Sequence, residues 1–135
     1  KKTQGNTPLS LADLIERDVD SAEKVIKELG EVKSKELRLT IRDIRTVCEL
    51  GRYYSDKIRG STYFALAQES KDKADKDKAV AALSQAADHY KAYVALVTAN
   101  HINQIWFNRV GTLNFQNQIK DAMRDIEYAK QIEVK

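Results

Sequence analysis

Two histidines, one cysteine and a set of acidic residues are the side chains with which this chain could hold a metal or move a proton. His89 and His101 stand twelve positions apart. On one continuous helix that is about 18 Å along the axis and about 120° around it, so no single metal reaches both. No Glu-x-x-His pair occurs, which removes the carboxylate-bridged di-iron site of helical bundles. Asp13, Glu16, Asp18 and Asp20 fall on the polar side of an amphipathic segment and read as ordinary solvated charge. Cys48 lies beside Val47 and near Leu50 in an apolar stripe, with no base adjacent, and reads as a buried structural thiol. Glycine-rich phosphate loops are absent. The expectation is a chain with no catalytic constellation of its own, no metal and no cofactor.

Aromatic side chains are the remaining lead. Six tyrosines, three phenylalanines and one tryptophan include Tyr53-Tyr54, Tyr63-Phe64, Tyr90 with Tyr93, and Trp106-Phe107. Neighbours on a helix point about 100° apart, so one member of each adjacent pair must lie at the boundary. Buried rings with wet hydroxyls are the structural use of such tyrosines. The functional use is a platform for sugar or other planar rings, built from Trp106, Tyr93, His101, Asn103 and Arg109. Amides and an arginine beside stacked rings are how a protein holds a polyol.

These residues need helices to position them. Thr7-Pro8 reads as an N-cap with proline at the first helical position. Leu11, Leu14, Ile15, Ala22, Val25, Ile26 and Leu29 then form one apolar face, and Gly30 closes the helix in a left-handed conformation. Ser34 caps a long second helix over about 35–70, with a stripe through Leu37, Ile41, Ile44, Cys48, Gly51, Ser55, Ile58, Thr62 and Ala65. Gly51 and Ser55 imply a closely approaching neighbour. Gly60 lies roughly half a turn round from Gly51 and marks either a kink or a close approach on the far side. The alternating charges of Ser70 to Lys78 read as a solvated turn whose aspartates cap the third helix. That helix carries the seam Val80, Leu83, Ala87, Tyr90, Val94 and Val97 and ends near Asn100.

His101 to Leu113 reads as an irregular apolar link, and no segment reads as a strand. Asn114 caps the last helix, whose inner stripe is Phe115, Ile119, Ala122, Met123, Ile126 and Ala129. The expected fold is all-α, an up-and-down four-helix bundle spanning 8–133 as a single domain behind a flexible lead-in at 1–7. The composition agrees. Five glycines and one proline stand where average usage gives roughly 16 together, which excludes turn-rich β designs. A net charge of +3 in a chain that is 32% charged describes a mixed surface, not a nucleic-acid-binding one. No apolar run approaches the ~20 residues that span a bilayer, so membrane insertion is not expected.

Several stretches also match a known pattern: Lys57 to Ala67 (KIRGSTYFALA), Tyr90 to His101 (YKAYVALVTANH), Asn108 to Asn114 (NRVGTLN) and Asp125 to Lys130 (DIEYAK). Over about residues 34–130 the chain resembles the helical accessory region near the C-terminus of bacterial polysaccharide-degrading enzymes, glycoside hydrolases of the α-glucuronidase kind. His101 to Gln104 stands where that family usually has a tyrosine and a proline. The resemblance implies a non-catalytic module of a secreted, periplasmic or cell-surface enzyme, partnered by a catalytic domain of the same polypeptide and by a polysaccharide or oligosaccharide. Trp106, Tyr93, His101, Asn103 and Arg109 are the expected carbohydrate contacts. The alternative reading is a purely structural or dimerising bundle, a homodimer or a pack against the catalytic domain. Apolar residues outside the main stripes, Leu39, Leu66 and Leu96, motivate it.

Overall fold

A computed structural model of the chain describes residues 5–99 and 114–135, together with the backbone of 104–106 and 111–113. The helices begin where side-chain oxygens replace missing backbone partners. Thr7 accepts from the Ser10 amide at 3.1 Å and opens α1 (Pro8–Glu28). Ser34 accepts from Leu37 at 3.4 Å and opens α2 (Lys35–Ser70). Asp72 accepts from Ala74 at 2.7 Å and opens α3 (Lys73–Thr98). Asn114 accepts from Asn117 at 3.2 Å and opens α4 (Phe115–Lys130). Each cap satisfies one of the orphan amides of a first turn. Gly30, at φ +62°, terminates α1 as its position predicts.

Two segments differ from the sequence reading. Gln104–Trp106 (β1) and Gly111–Leu113 (β2) pair antiparallel, with Ile105 opposite Thr112, where no strand was expected. The charge run at 70–78 is also less of a turn. Only Lys71 and Asp72 separate α2 from α3, and Lys73 to Lys78 belong to α3. Lys71 ends α2 in a left-handed conformation, φ 59°, with its amide donating to the Ala67 carbonyl.

The fold is an all-α helical bundle, with α2 and α3 its closest pair. They run antiparallel and touch where Gly60 admits Leu83. A β-carbon at Gly60 would lie 2.6 Å from Leu83 Cγ. So Gly60 marks the close approach, and α2 continues through it. Below that contact Tyr53, Tyr90, Tyr93 and Phe115 stack in a tilted series with centroids 4.8, 5.6 and 6.2 Å apart. This series joins Ala87, Val94, Val97 and Ala122 in the core shared by α3 and α4. Lys57 of α2 pairs with Asp125 of α4, and the Lys76 ammonium donates to the Ile132 carbonyl at 2.8 Å.

Helix α1 lies antiparallel on α2. Its buried residues are Ala12, Val19 and Ile26; Ile26 is on the expected face, and Ala12 is about 100° round from Leu11. Val19 Cγ2 stands 2.7 Å from where a Gly51 β-carbon would be. Leu11, Leu14, Val25 and Leu29, expected in the core, are exposed, and so are Leu37 and Ile44 of α2 and Met123 of α4. The reason is geometric. Close approach at Gly51 selects small or β-branched residues for the contact, and the leucines are left outside it.

Candidate functional site

The polar residues that the fold brings together lie between α1, α2 and α3. Arg59 of α2 reaches Asp13 at 2.8 Å and Glu16 at 2.5 Å on α1. Seven residues earlier, Arg52 reaches Glu23 at 2.6 Å and Asp20 at 3.4 Å. The two clamps share one geometry because both the arginines and the acid pairs repeat every seven residues on antiparallel helices. Asp13, Glu16 and Asp20 are therefore not simply solvated charge, as their spacing suggested. The Glu23 hydrogen bond strengthens the hold of Arg52 on its proton. At Arg59, burial opposes the charge, but Asp13 and Glu16 outweigh it and raise the pKa.

Deeper in the same cleft are Ser55 and Asp56, the buried polar residues of the core. The Ser55 hydroxyl donates to the Ala12 carbonyl at 2.9 Å and accepts from Arg59 at 2.9 Å. Its proton is thus committed to a backbone oxygen, which leaves no free hydroxyl to act as a nucleophile. Asp56 is 8% exposed. Burial raises its carboxyl pKa, while His89 and Arg59 partly offset that rise. His89 of α3 stands between two carboxylates, with Nδ1 2.8 Å from Glu49 and Nε2 3.7 Å from Asp56. Together with Glu16, Arg52 and Gln85 these residues line a 130 Å³ cavity. Every charge in it has an opposite neighbour. The arrangement ties three helices together and offers no nucleophile–base pair. Among the described residues no group of three His, Cys, Asp or Glu is placed to hold a metal. Cys48 is buried, as expected, and burial raises its thiol pKa.

The aromatic platform expected at the α3–α4 link is only partly in view. Tyr93 is half-buried, its ring edge-on to Phe115 and tilted against Tyr90. Tyr90 is the deeper of that pair at 6% exposure. Trp106 closes β1, and its side chain lies outside the described residues. His101, Asn103 and Arg109 also lie outside them.

A second feature is the outer face of the α1–α2 layer. On α1 the register 11, 14, 18, 21, 25, 29 carries Leu, Leu, Asp, Ser, Val and Leu; on α2 the register 37, 40, 44, 47, 51, 54, 58 carries Leu, Thr, Ile, Val, Gly, Tyr and Ile. Both step by three or four residues, so each is one continuous stripe. Within the α2 register Gly51 packs against Val19 of α1 and Ile58 is half-buried, whereas Leu37, Ile44, Val47 and Tyr54 are exposed, as are Leu11, Leu14, Val25 and Leu29 of α1. Val47 is 66% exposed, Val25 57% and Tyr54 52%. Asp18 is the single charge in the two registers. The amphipathic pattern of each helix held this signal, because a helix with two apolar stripes about 100° apart has more than one partner to satisfy.

No protein-family model, no curated protein and no solved structure matches the chain. Among the described residues no helix is long and apolar enough to cross a membrane.

Proposed function

We propose that the chain is a non-catalytic helical module that works by docking, through the outer face of α1 and α2, onto another protein surface. One observation carries this reading. Large apolar side chains on both helices, Leu11, Leu14, Val25 and Leu29 of α1 and Leu37, Ile44, Val47 and Tyr54 of α2, stand exposed to solvent. Contiguous apolar area of that size marks an interaction site on a soluble protein. The paired and buried polar cleft favours the same reading, since its charges are spent on holding helices together.

Hydrophobic-dye fluorescence and affinity electrophoresis test it against carbohydrate binding. The expected result is dye fluorescence that Val25→Glu with Val47→Glu abolishes, and unretarded migration through gels containing plant and algal polysaccharides. Retardation on one glycan that Tyr93→Ala removes, with no dye binding, would replace docking by carbohydrate binding.

A further inference from the structure

Helices α1 and α3 both pack on α2 and scarcely meet each other, so a cleft runs along α2 between them. Around His89 the paired charges narrow it to the 130 Å³ cavity. Beyond Glu49, towards the ends of α1 and α3, it opens into two adjoining hollows of 620 and 530 Å³. Ile26, Arg45 and Leu96 belong to the walls of both. Ile26 and Ile41 are buried and Val32 and Leu96 half-buried, so the floor is apolar. The rim is basic, with Lys24 and Lys27 from α1 and Arg38, Arg42 and Arg45 from α2. Residues 24–45 hold seven lysines and arginines against four acids, and the rest of the chain holds sixteen of each. The whole net charge of +3 therefore sits around this groove.

We propose that the groove is a docking site for an acidic segment of another protein, with carboxylates on the basic rim and an apolar side chain against Ile26, Ile41 and Leu96. Charge complementarity names the partner. The acids at the inner end are already taken, Asp20 and Glu23 by Arg52 at 3.4 and 2.6 Å, and Glu49 by His89 at 2.8 Å. Glu31 is the remaining acid in the wall. Arg42 lies 3.3 Å from Asp43, and Arg38 donates to the neutral carbonyls of Val32 and Lys33, which leave its charge uncompensated. Lys24, Lys27 and Arg45 are exposed and make no ion pair with any described residue. A nucleic-acid backbone would use the rim and leave the apolar floor uncovered, whereas a peptide can use both. The groove is also distinct from the outer apolar face. On α1, Lys24 and Lys27 point about 100° or more away from Val25 and Leu29, so the two docking readings stand or fall separately.

The test is fluorescence anisotropy of a labelled peptide of about four helical turns, leucines on one face and glutamates on the rest, titrated with the whole chain. The expected result is saturable binding that weakens about tenfold between low and high salt. Arg45→Glu and Lys27→Glu should each weaken it about tenfold at unchanged helical circular dichroism. Lys120→Glu, the same change of charge on α4, and Val47→Glu, on the outer face, should leave it unchanged. Replacing the leucines of the peptide by alanine should also weaken binding about tenfold. A peptide that does not bind would overturn the proposal. Equal losses in Arg45→Glu and Lys120→Glu would overturn it too, since attraction would then follow net charge alone. If the alanine peptide or a single-stranded oligonucleotide binds as tightly as the leucine peptide, the groove takes a simple polyanion and not an acidic protein segment. Loss in Val47→Glu with none in Arg45→Glu would put the peptide on the outer face and remove the groove as its site.

Discussion

Arg59 Nη2 stands 2.8 Å from Asp13 Oδ1, and seven residues away on both helices Arg52 and Asp20 repeat the contact at 3.4 Å. The repeat fixes how α1 slides along α2, because a shift of one turn would separate both clamps at once. The arginines are largely covered, but Asp13 and Asp20 are well exposed and Glu16 and Glu23 partly so, so the Coulombic gain of each clamp is screened.

Arg59→Met is expected to cost about 1–2 kcal/mol, part from the ion pairs and part from the hydrogen bond that Ser55 loses. Arg52→Met should cost less, since Arg52 has no buried hydroxyl to satisfy. Urea denaturation at low and high salt is the check. A wild-type stability that does not fall with salt, together with equal losses in the two variants, would show that the clamps do not set the packing of α1.

The contact between Gly60 and Leu83 leads to a prediction that runs against helix propensity. Alanine favours a helix interior over glycine by about 1 kcal/mol. At Gly60 the added methyl would sit 2.6 Å from Leu83 Cγ and 3.1 Å from its backbone nitrogen, so α2 and α3 must part. Overpacking costs typically 1–3 kcal/mol. Set against the propensity gain, Gly60→Ala should lower stability by up to about 2 kcal/mol in thermal or urea unfolding. Gly51→Ala meets a Val19 methyl at 2.7 Å and an Ile15 methyl at an ordinary 3.8 Å, with no backbone atom in the way, and should lose less. Stabilisation by Gly60→Ala would mean that the helices are not in close contact there.

Much of this fold could be read from local chemistry. Thr7, Pro8, Gly30, Ser34 and Asn114 placed helix ends correctly because capping needs only the residue and its near neighbours. The faces of α1 could not be read in that way. Leu11 and Leu14 are its larger apolar side chains, yet Ala12 and Val19 are buried, because Gly51 sets a short interaxial distance that only the partner helix reveals. Strands of three residues, such as Gln104–Trp106, are too short to show a period. For the site, the pairing of Asp13 and Glu16 with Arg59 was latent in the seven-residue spacing shared with Asp20, Glu23 and Arg52. Finding it required knowing that α1 and α2 are antiparallel neighbours.

Lys71 holds a left-handed conformation, φ 59° and ψ 23°, at the end of α2. A residue with a β-carbon is strained there by roughly 1 kcal/mol, and glycine is not. Lys71→Gly is expected to raise stability by about 0.5–1 kcal/mol, since the backbone bonds from its amide to Ala67 and from the Lys135 amide to its carbonyl need no side chain. Thermal unfolding of the two proteins decides it. A loss of stability would mean that the lysine side chain contributes more than the strain it carries.

The tyrosine series sets the alkaline limit of the fold. Burial, with neighbouring phenols adding to it, pushes the Tyr90 hydroxyl up to about 12, and burial also raises Tyr53 and Tyr93. An acid whose pKa is higher in the folded chain stabilises the fold fully below its unfolded value, here about 10, and loses that contribution as pH rises through the folded value. Stability should therefore be level up to about pH 10 and fall steeply towards pH 12, with phenolate absorbance appearing together with loss of helical signal. Tyr90→Phe removes one of the three groups and with it the hydrogen bond to Gln118. It should be less stable than the wild type at neutral pH, by about 1 kcal/mol, and should lose less stability between pH 10 and 12. Tyrosines that ionise near pH 10 in a chain still fully helical would show that Tyr53, Tyr90 and Tyr93 are open to water and that α2, α3 and α4 do not close over them.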